Sequence, residues 1–170
     1  GSNLGNFTPD EQAQLFGSLA SSLQTGVYLL LGLDLRKPVE ILEHAYNDAA
    51  GVTAAFNLNL LQRINRELQA DFDLSSFSHW AFYNQQLHQI EMHLRSNSAQ
   101  VVTIADLDLQ VAFRAGETIH TEISRKFDPS ETRRQLASHG FQSCALWTDT
   151  RTWFLVGLFR FTGKAAGEQR

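Results

Sequence analysis

One cysteine, one methionine and three prolines stand in 170 residues, and what is scarce here narrows the reading before what is abundant. A single thiol, Cys144, cannot close an internal disulfide, which fits a reducing compartment. Long apolar runs are missing: Val27 to Leu31, the longest, is strand-sized and far short of the roughly 20 residues of a membrane span. No signal-peptide pattern opens the chain, so a cytoplasmic protein is expected. Basic excess is missing as well. A formal net charge of −4 and a pI near 5.8 argue against a nucleic-acid surface, which needs a basic stripe. His44, His79, His88, His93, His120 and His139 show neither HxxxH nor HxH spacing, so no metal ligand set is expected. What remains is 43% hydrophobic and rich in Phe, with 12, enough for one good core or two small lobes sharing one.

The chain opens with a glycine-rich loop, Gly1-Ser2-Asn3-Leu4-Gly5-Asn6-Phe7, that no strand precedes. Thr8-Pro9-Asp10-Glu11 reads as a helix start with Thr8 as cap and Glu11 as its capping-box partner. Leu15, Leu19 and Leu23 continue an apolar stripe that Gly26 ends. The continuous apolar run that follows, Val27 to Leu35, reads as a buried parallel strand finishing near Asp34. Helix then strand is half of a doubly wound α/β unit. Beyond Lys37-Pro38, residues Val39 to Ala49, Val52 to Leu68 and Ser76 to Gln86 read as helices. Strand-like patterns cover Ile90 to Arg95, Gln100 to Ile104, Leu107 to Phe113 and Thr118 to Phe127, giving an antiparallel meander. Asp128-Pro129-Ser130-Glu131 opens a last helix to about Ser138. Phe141 to Thr148 and Thr152 to Phe161 form a hairpin across Asp149-Thr150-Arg151, and a frayed tail is expected from Thr162. Cys144 is expected inside a buried strand and inert.

In Ile119-His120-Thr121-Glu122-Ile123-Ser124, strand alternation sends Glu122 and Ser124 to one face, together with His120. A carboxylate beside a hydroxyl offers acceptors and one donor, a set suited to both nitrogens of an imidazole. On its own such a pair is more often a solvated face.

Four segments, in order and with similar spacing, resemble the histidine-specific, S-adenosylmethionine-dependent methyltransferases, which trimethylate the α-amine of histidine in ergothioneine biosynthesis. They are the opening loop, Ala45 to Asn57, Ile90-Glu91-Met92-His93-Leu94-Arg95-Ser96, and Ile119 to Ser124. The closing helix and hairpin likewise resemble the end of a Class I methyltransferase sheet. The resemblance implies an α/β fold: the C-terminal portion of a Class I, Rossmann-like methyltransferase with an inserted α+β substrate lobe containing an antiparallel meander. Its expected parts are residues 1–36 and 127–170 of the methyltransferase domain and residues 37–126 as the insert.

The same resemblance implies site roles. Asn6 resembles the asparagine holding the α-amino and carboxylate end of histidine, and Tyr46 the tyrosine on the substrate carboxylate. Glu122 and Ser124 resemble the pair gripping the imidazole, with Met92 lining that pocket, while Gly1 and Ser2 are expected beside the methionine end of S-adenosylmethionine. The family's chains are nearly twice as long. The first strands, the glycine-rich cofactor loop and the acidic ribose contact have no counterpart in this sequence, and Asn3 replaces a usual Thr. A fragment, inactive alone, is therefore expected, with a small amino-acid substrate and self-association through an exposed sheet edge. Two alternatives stand beside it. One is a same-family N-methyltransferase acting on another amino-acid derivative, such as one of tryptophan. The other is a non-catalytic binding module lacking the cofactor half.

Overall fold

The computed structural model describes residues 2–163. In chain order the elements are α1 (Pro9–Ser22), β1 (Tyr28–Asp34), α2 (Val39–Tyr46), α3 (Val52–Leu68), β2 (Phe77–Asn84), β3 (Gln89–Ser96), β4 (Gln100–Ile104), β5 (Leu109–Phe113), β6 (Thr118–Arg125), α4 (Pro129–Ser138), β7 (Phe141–Thr148) and β8 (Phe154–Phe161). Short 3-10 turns lie at Asn3–Asn6, Leu74–Ser76 and Ala105–Leu107. The chain divides into two units. One takes in the chain up to Pro38, the stretch Gln85–Gln89 and the chain from Ile123; the other is Val39–Asn84 with Ile90–Glu122.

The first unit is an α/β layer built on a sheet of order β1-β8-β7. Thr8 starts α1 with a reciprocal cap: its hydroxyl accepts the Glu11 N–H at 3.3 Å, and the Glu11 carboxylate accepts the Thr8 N–H at 2.7 Å. Asp128 starts α4 by accepting the N–H groups of Ser130 and Glu131 at 2.8 and 3.0 Å, while the Glu131 carboxylate turns to Arg36. Phe16 of α1 and Leu136 of α4 meet Leu33, Phe141, Leu155 and Phe159 of the sheet in one core. Gly157, on the central strand, leaves room that this core uses. A Cβ there would lie 2.6 Å from the Phe159 ring.

Three expectations change in this unit. Among the described residues β1 is paired antiparallel, not parallel: it runs beside β8, with Leu31 opposite Gly157. Nor is it buried on both faces, since Leu29, Leu31 and Leu33 meet the core while Tyr28 and Leu30 are exposed. Its apolar run cannot reveal that, among the described residues, only one face is covered. Cys144 is exposed, on the outward side of β7 with Gln142, and the register shift between Ser143 and Ala145 then returns Leu146 to the core. Thr162 is not frayed; its N–H and hydroxyl both reach the Gly140 carbonyl, at 2.9 and 3.1 Å. The tail expectation otherwise falls outside the described residues.

The second unit sets helices against antiparallel strands. Leu61 of α3 packs with Leu94, Val102, Ile104 and the mutually edge-on or tilted rings of Phe72, Phe77 and Phe113. A smaller cluster joins Leu42 of α2 to Ala81, Ile90 and Met92, with Tyr46 and Tyr83 against it. The expected helix over Ser76 to Gln86 is β2. Phe77 and Ala81 are buried four residues apart, which mimics helical spacing, but they enter two different clusters. The strands also depart from simple succession. β3 has β2 and β6 as neighbours, and β4 with β5 forms a separate hairpin.

α2 ends at Tyr46, and the residues after it serve α3 instead. The Asp48 carboxylate accepts the N–H groups of Val52 and Thr53 at 2.9 and 2.8 Å, capping a helix whose own N-cap, Gly51, has no side chain. Hydrogen bonding from Thr53, side chain first, and from Val52 holds the Asp48 carboxyl down at about 2. A depressed carboxyl stabilises the fold above its ordinary value of 3.8 and loses that contribution as pH falls through the folded value. A carbon-13 titration of the Asp48 carboxyl should therefore give a midpoint near 2, moved upward by Thr53→Ala. An ordinary midpoint would show that this cap is absent in solution.

Candidate functional site

Within the first unit, the opening loop and the end of β6 are brought together. The Asn3–Asn6 turn is closed by Gly5 N–H to the Ser2 carbonyl (3.1 Å) and Phe7 N–H to the Leu4 carbonyl (3.3 Å). From α1, the buried Gln12 amide donates to the Leu4 and Phe7 carbonyls at 3.2 and 2.9 Å and so fixes both sides of the turn. Gly5 lies so close to Arg125 that an added Cβ would be 3.1 Å from the Arg125 carbonyl oxygen. The turn carrying Asn6 thus packs one residue along from Ser124. Ser2 sits nearby in the same unit, its hydroxyl accepting the Asp34 N–H at 3.3 Å. Gly1 lies outside the described residues.

Beside Ser124 is a buried group that no motif singles out. Lys126 has a fully buried side chain whose ammonium donates to the Ser124 hydroxyl at 2.8 Å and pairs with Asp34 at 2.9 Å. Lys37 is the second cation on Asp34. The backbone sets this up: Phe127 N–H bonds the Asp34 carbonyl at 2.9 Å and Arg36 N–H bonds the Phe127 carbonyl at 3.1 Å, a short parallel bridge alongside the end of β1. The spacing Ser124-Lys126 was visible, but nothing in it indicated a buried cation.

In the second unit Tyr46 and Met92 meet in one cluster, with Met92 3% exposed and Tyr46 half-buried. A side-chain relay fixes Tyr46 at the end of α2. Asn57 donates to Nδ1 of His79 at 3.0 Å, so the proton belongs on Nε2, which donates to the Tyr46 carbonyl at 2.8 Å. Glu122 is half-buried on β6.

His120, Glu122 and Ser124 all lie on β6, which is paired with β3. At one end of the β3–β6 pair Ser96 N–H bonds the Glu117 carbonyl; at the other Lys126 N–H bonds the His88 carbonyl. Glu117 and Lys126 stand on either side of Thr118–Arg125. Within it, His120 is fixed by its stack on His93, with ring centroids 4.5 Å apart and planes within 9°.

Glu91, His93 and His120 form a group that spacing along the chain missed, their ligand atoms all within 4.8 Å of one another. His93 donates or accepts at Thr118 through Nδ1 (3.2 Å), and its Nε2 lies 3.5 Å from the Glu91 carboxylate. The stacked rings hold their in-plane lone pairs parallel rather than convergent. One ion could take both only if the exposed His120 turned. Trp80 and Phe82 cover His93 on the same sheet.

Burial, and after it the neighbouring His120, push the His93 pKa below the usual histidine value, while Glu91 opposes them. A lowered histidine contributes stability above its unfolded value of about 6.5 and loses it as pH falls through the folded value. By proton NMR, His120→Ala should raise the His93 midpoint and Glu91→Gln should lower it. Shifts of the same sign in both variants would contradict this account.

Comparison with known proteins adds the following. Residues 1–161 match the family described as "Histidine-specific methyltransferase, SAM-dependent". Two histidine N-alpha-methyltransferases are similar over 149 residues, that of Mycolicibacterium smegmatis at 51% identity and that of Mycobacterium tuberculosis at 47%. Each alignment covers 88% of this chain and 46% of the relative. An L-tryptophan methyltransferase of Psilocybe serbica is 25% identical over 160 residues, covering 92% of this chain and 44% of that protein. The chain spans about half the length of the curated relatives it matches.

Proposed function

Because this chain belongs to the histidine-specific, S-adenosylmethionine-dependent methyltransferases, we propose that it supplies the substrate-gripping part of an enzyme that methylates the α-amine of histidine. The observation that carries this reading is the packing of the Asn6 turn on Arg125, beside Ser124. It puts a residue assigned to the amino-acid end of the substrate and one assigned to the ring end on neighbouring backbone.

Each role is one that the residue's chemistry can perform. Methylation of an amine needs a free nitrogen lone pair, so the protein must hold the amine neutral and aimed; orientation is its main contribution. The Asn6 amide can accept from the amine or donate to the carboxylate without adding charge that would keep the amine protonated. The Tyr46 hydroxyl serves the substrate carboxylate, and Met92 gives the ring pocket an apolar wall. Glu122 takes an imidazole N–H and Ser124 the other ring nitrogen. Histidine is favoured over tryptophan because an indole has one donor and would leave part of this pair unmatched.

S-adenosylmethionine is the family's methyl donor. The described residues offer it little: the Ser2 hydroxyl already accepts the Asp34 N–H, and these 170 residues include no counterpart of the family's glycine-rich cofactor loop or acidic ribose contact. No step is assigned through it.

The decisive assay gives the gene product that carries this sequence both histidine and S-adenosylmethionine and follows Nα-methylated histidine by mass spectrometry. Glu122→Ala and Ser124→Ala should each weaken histidine binding, by about tenfold for a lost buried hydrogen bond of roughly 1–3 kcal/mol. Unchanged binding in both would sink the imidazole assignment, and preferred turnover of tryptophan would favour the second substrate. The same reading makes the outer edge of β1 a seam for self-association when residues 1–170 are studied alone. Sedimentation should then show a concentration-dependent dimer, and a strict monomer would remove the idea.

A further inference from the structure

We infer that His93 and His120, with the charge of Glu91 beside them, form a binding site for an imidazole-preferring divalent cation of the zinc class. The site is independent of the methyl-transfer reading above. What carries it is an orphaned nitrogen: Nε2 of His93 is buried and has no hydrogen-bond partner among the described residues. The other ring nitrogen, Nδ1, lies 3.2 Å from the Thr118 hydroxyl. A neutral imidazole carries its proton on one nitrogen and a lone pair on the other. A proton on Nε2 would be a buried donor without an acceptor, since the Glu91 carboxylate at 3.5 Å is beyond good bonding range. With the proton on Nδ1 and given to Thr118, Nε2 keeps its lone pair, which is the form a metal ion takes.

The two histidines divide the work of a ligand pair. His93 is the fixed member. Phe82 stacks on its ring with centroids 5.5 Å apart and planes within 19°, Trp80 leans on it at 5.5 Å, and Thr118 holds Nδ1. His120, exposed on β6, is the adaptable member. The candidate donor atoms of Glu91, His93 and His120 already lie within 4.8 Å of one another. Two nitrogens on one tetrahedral ion, each about 2.0–2.1 Å from it, stand roughly 3.3 Å apart. Turning the exposed His120 ring out of its stack therefore has to close a gap of at most roughly 1.5 Å.

Glu91 enters through its charge. Its carboxylate accepts the Asn84 amide at 2.8 Å, and none of its hydrogen bonds has to break, because they leave the negative charge in place. Beside two neutral rings, and only 13% exposed, that charge favours a cation there. Two imidazoles select zinc, copper or nickel over calcium and magnesium, which take oxygen ligands. Every part of the site belongs to the second unit. An ion held by one histidine of β3 and one of β6 would cross-link two neighbouring strands of that unit.

The test uses the full gene product, without a histidine tag and with Cys144→Ser so that no thiol competes, and zinc chloride as the calorimetric probe. Zinc should bind in the micromolar range. His120→Ala, at an exposed position that the fold does not need, should weaken this binding by about tenfold or more, and Glu91→Gln by a smaller factor. His44→Ala, exposed on α2, should leave it unchanged. Zinc should raise Tm in the parent and not in His120→Ala. By proton NMR the ring signals of His93 and His120 should shift together as zinc is added. Undiminished binding in His120→Ala would overturn the inference. So would the absence of zinc binding in the parent, or zinc shifts at other histidines that leave these two rings unmoved.

Discussion

A lysine with no solvent exposure needs a counter-charge, Asp34 supplies one, and several parts of the first unit meet at that pair. Charges leave water at a cost that pairing and hydrogen bonding must offset, and losing one partner strands the other. The short parallel bridge between Leu35 and Phe127 brings Lys126 to the end of β1, where Asp34 is available. Ser2 ties the opening loop to the same residue through the Asp34 N–H. The Gln12 amide, gripping the Leu4 and Phe7 carbonyls, then fixes the loop to α1. Position along the chain suggests a loop, a strand and a distant strand end. In space, one ion pair is their meeting point.

How much of this was legible depended on whether the signal was local. The starts of α1 and α4 could be read directly, since Thr8 with Glu11 and Asp128 with the following N–H groups are contained within a few residues. The β7–β8 hairpin was equally local. Where a residue's fate is set by what lies across from it, the pattern misled. Phe77 and Ala81 imitated helical spacing because two separate clusters each took one of them. The apolar run of β1 suggested burial on both faces, yet Leu30 stands in the open. Cys144 lies on the outward side of β7 with Gln142, because only one face of that strand meets the core.

The candidate site divides along the same line. Asn6, Tyr46, Met92, Glu122 and Ser124 were named because whole segments resemble a family, not because their neighbours could be deduced. Lys126 was passed over, since its role comes from Asp34, far away in sequence. Glu91, His93 and His120 escaped for a related reason: two lie on β3 and one on β6, and only strand pairing puts their side chains side by side.

The outward turn of Cys144 has a practical side. Because it is the single cysteine of these 170 residues and is exposed on β7, a thiol-reactive fluorophore would attach at one defined position without any cysteine being added or removed. That position sits on the sheet of the first unit, opposite the covered core face rather than in it, and away from the Ser2–Asp34–Lys126–Ser124 chain in sequence and strand. These 170 residues therefore carry a single attachment point for reporting on the first unit by fluorescence.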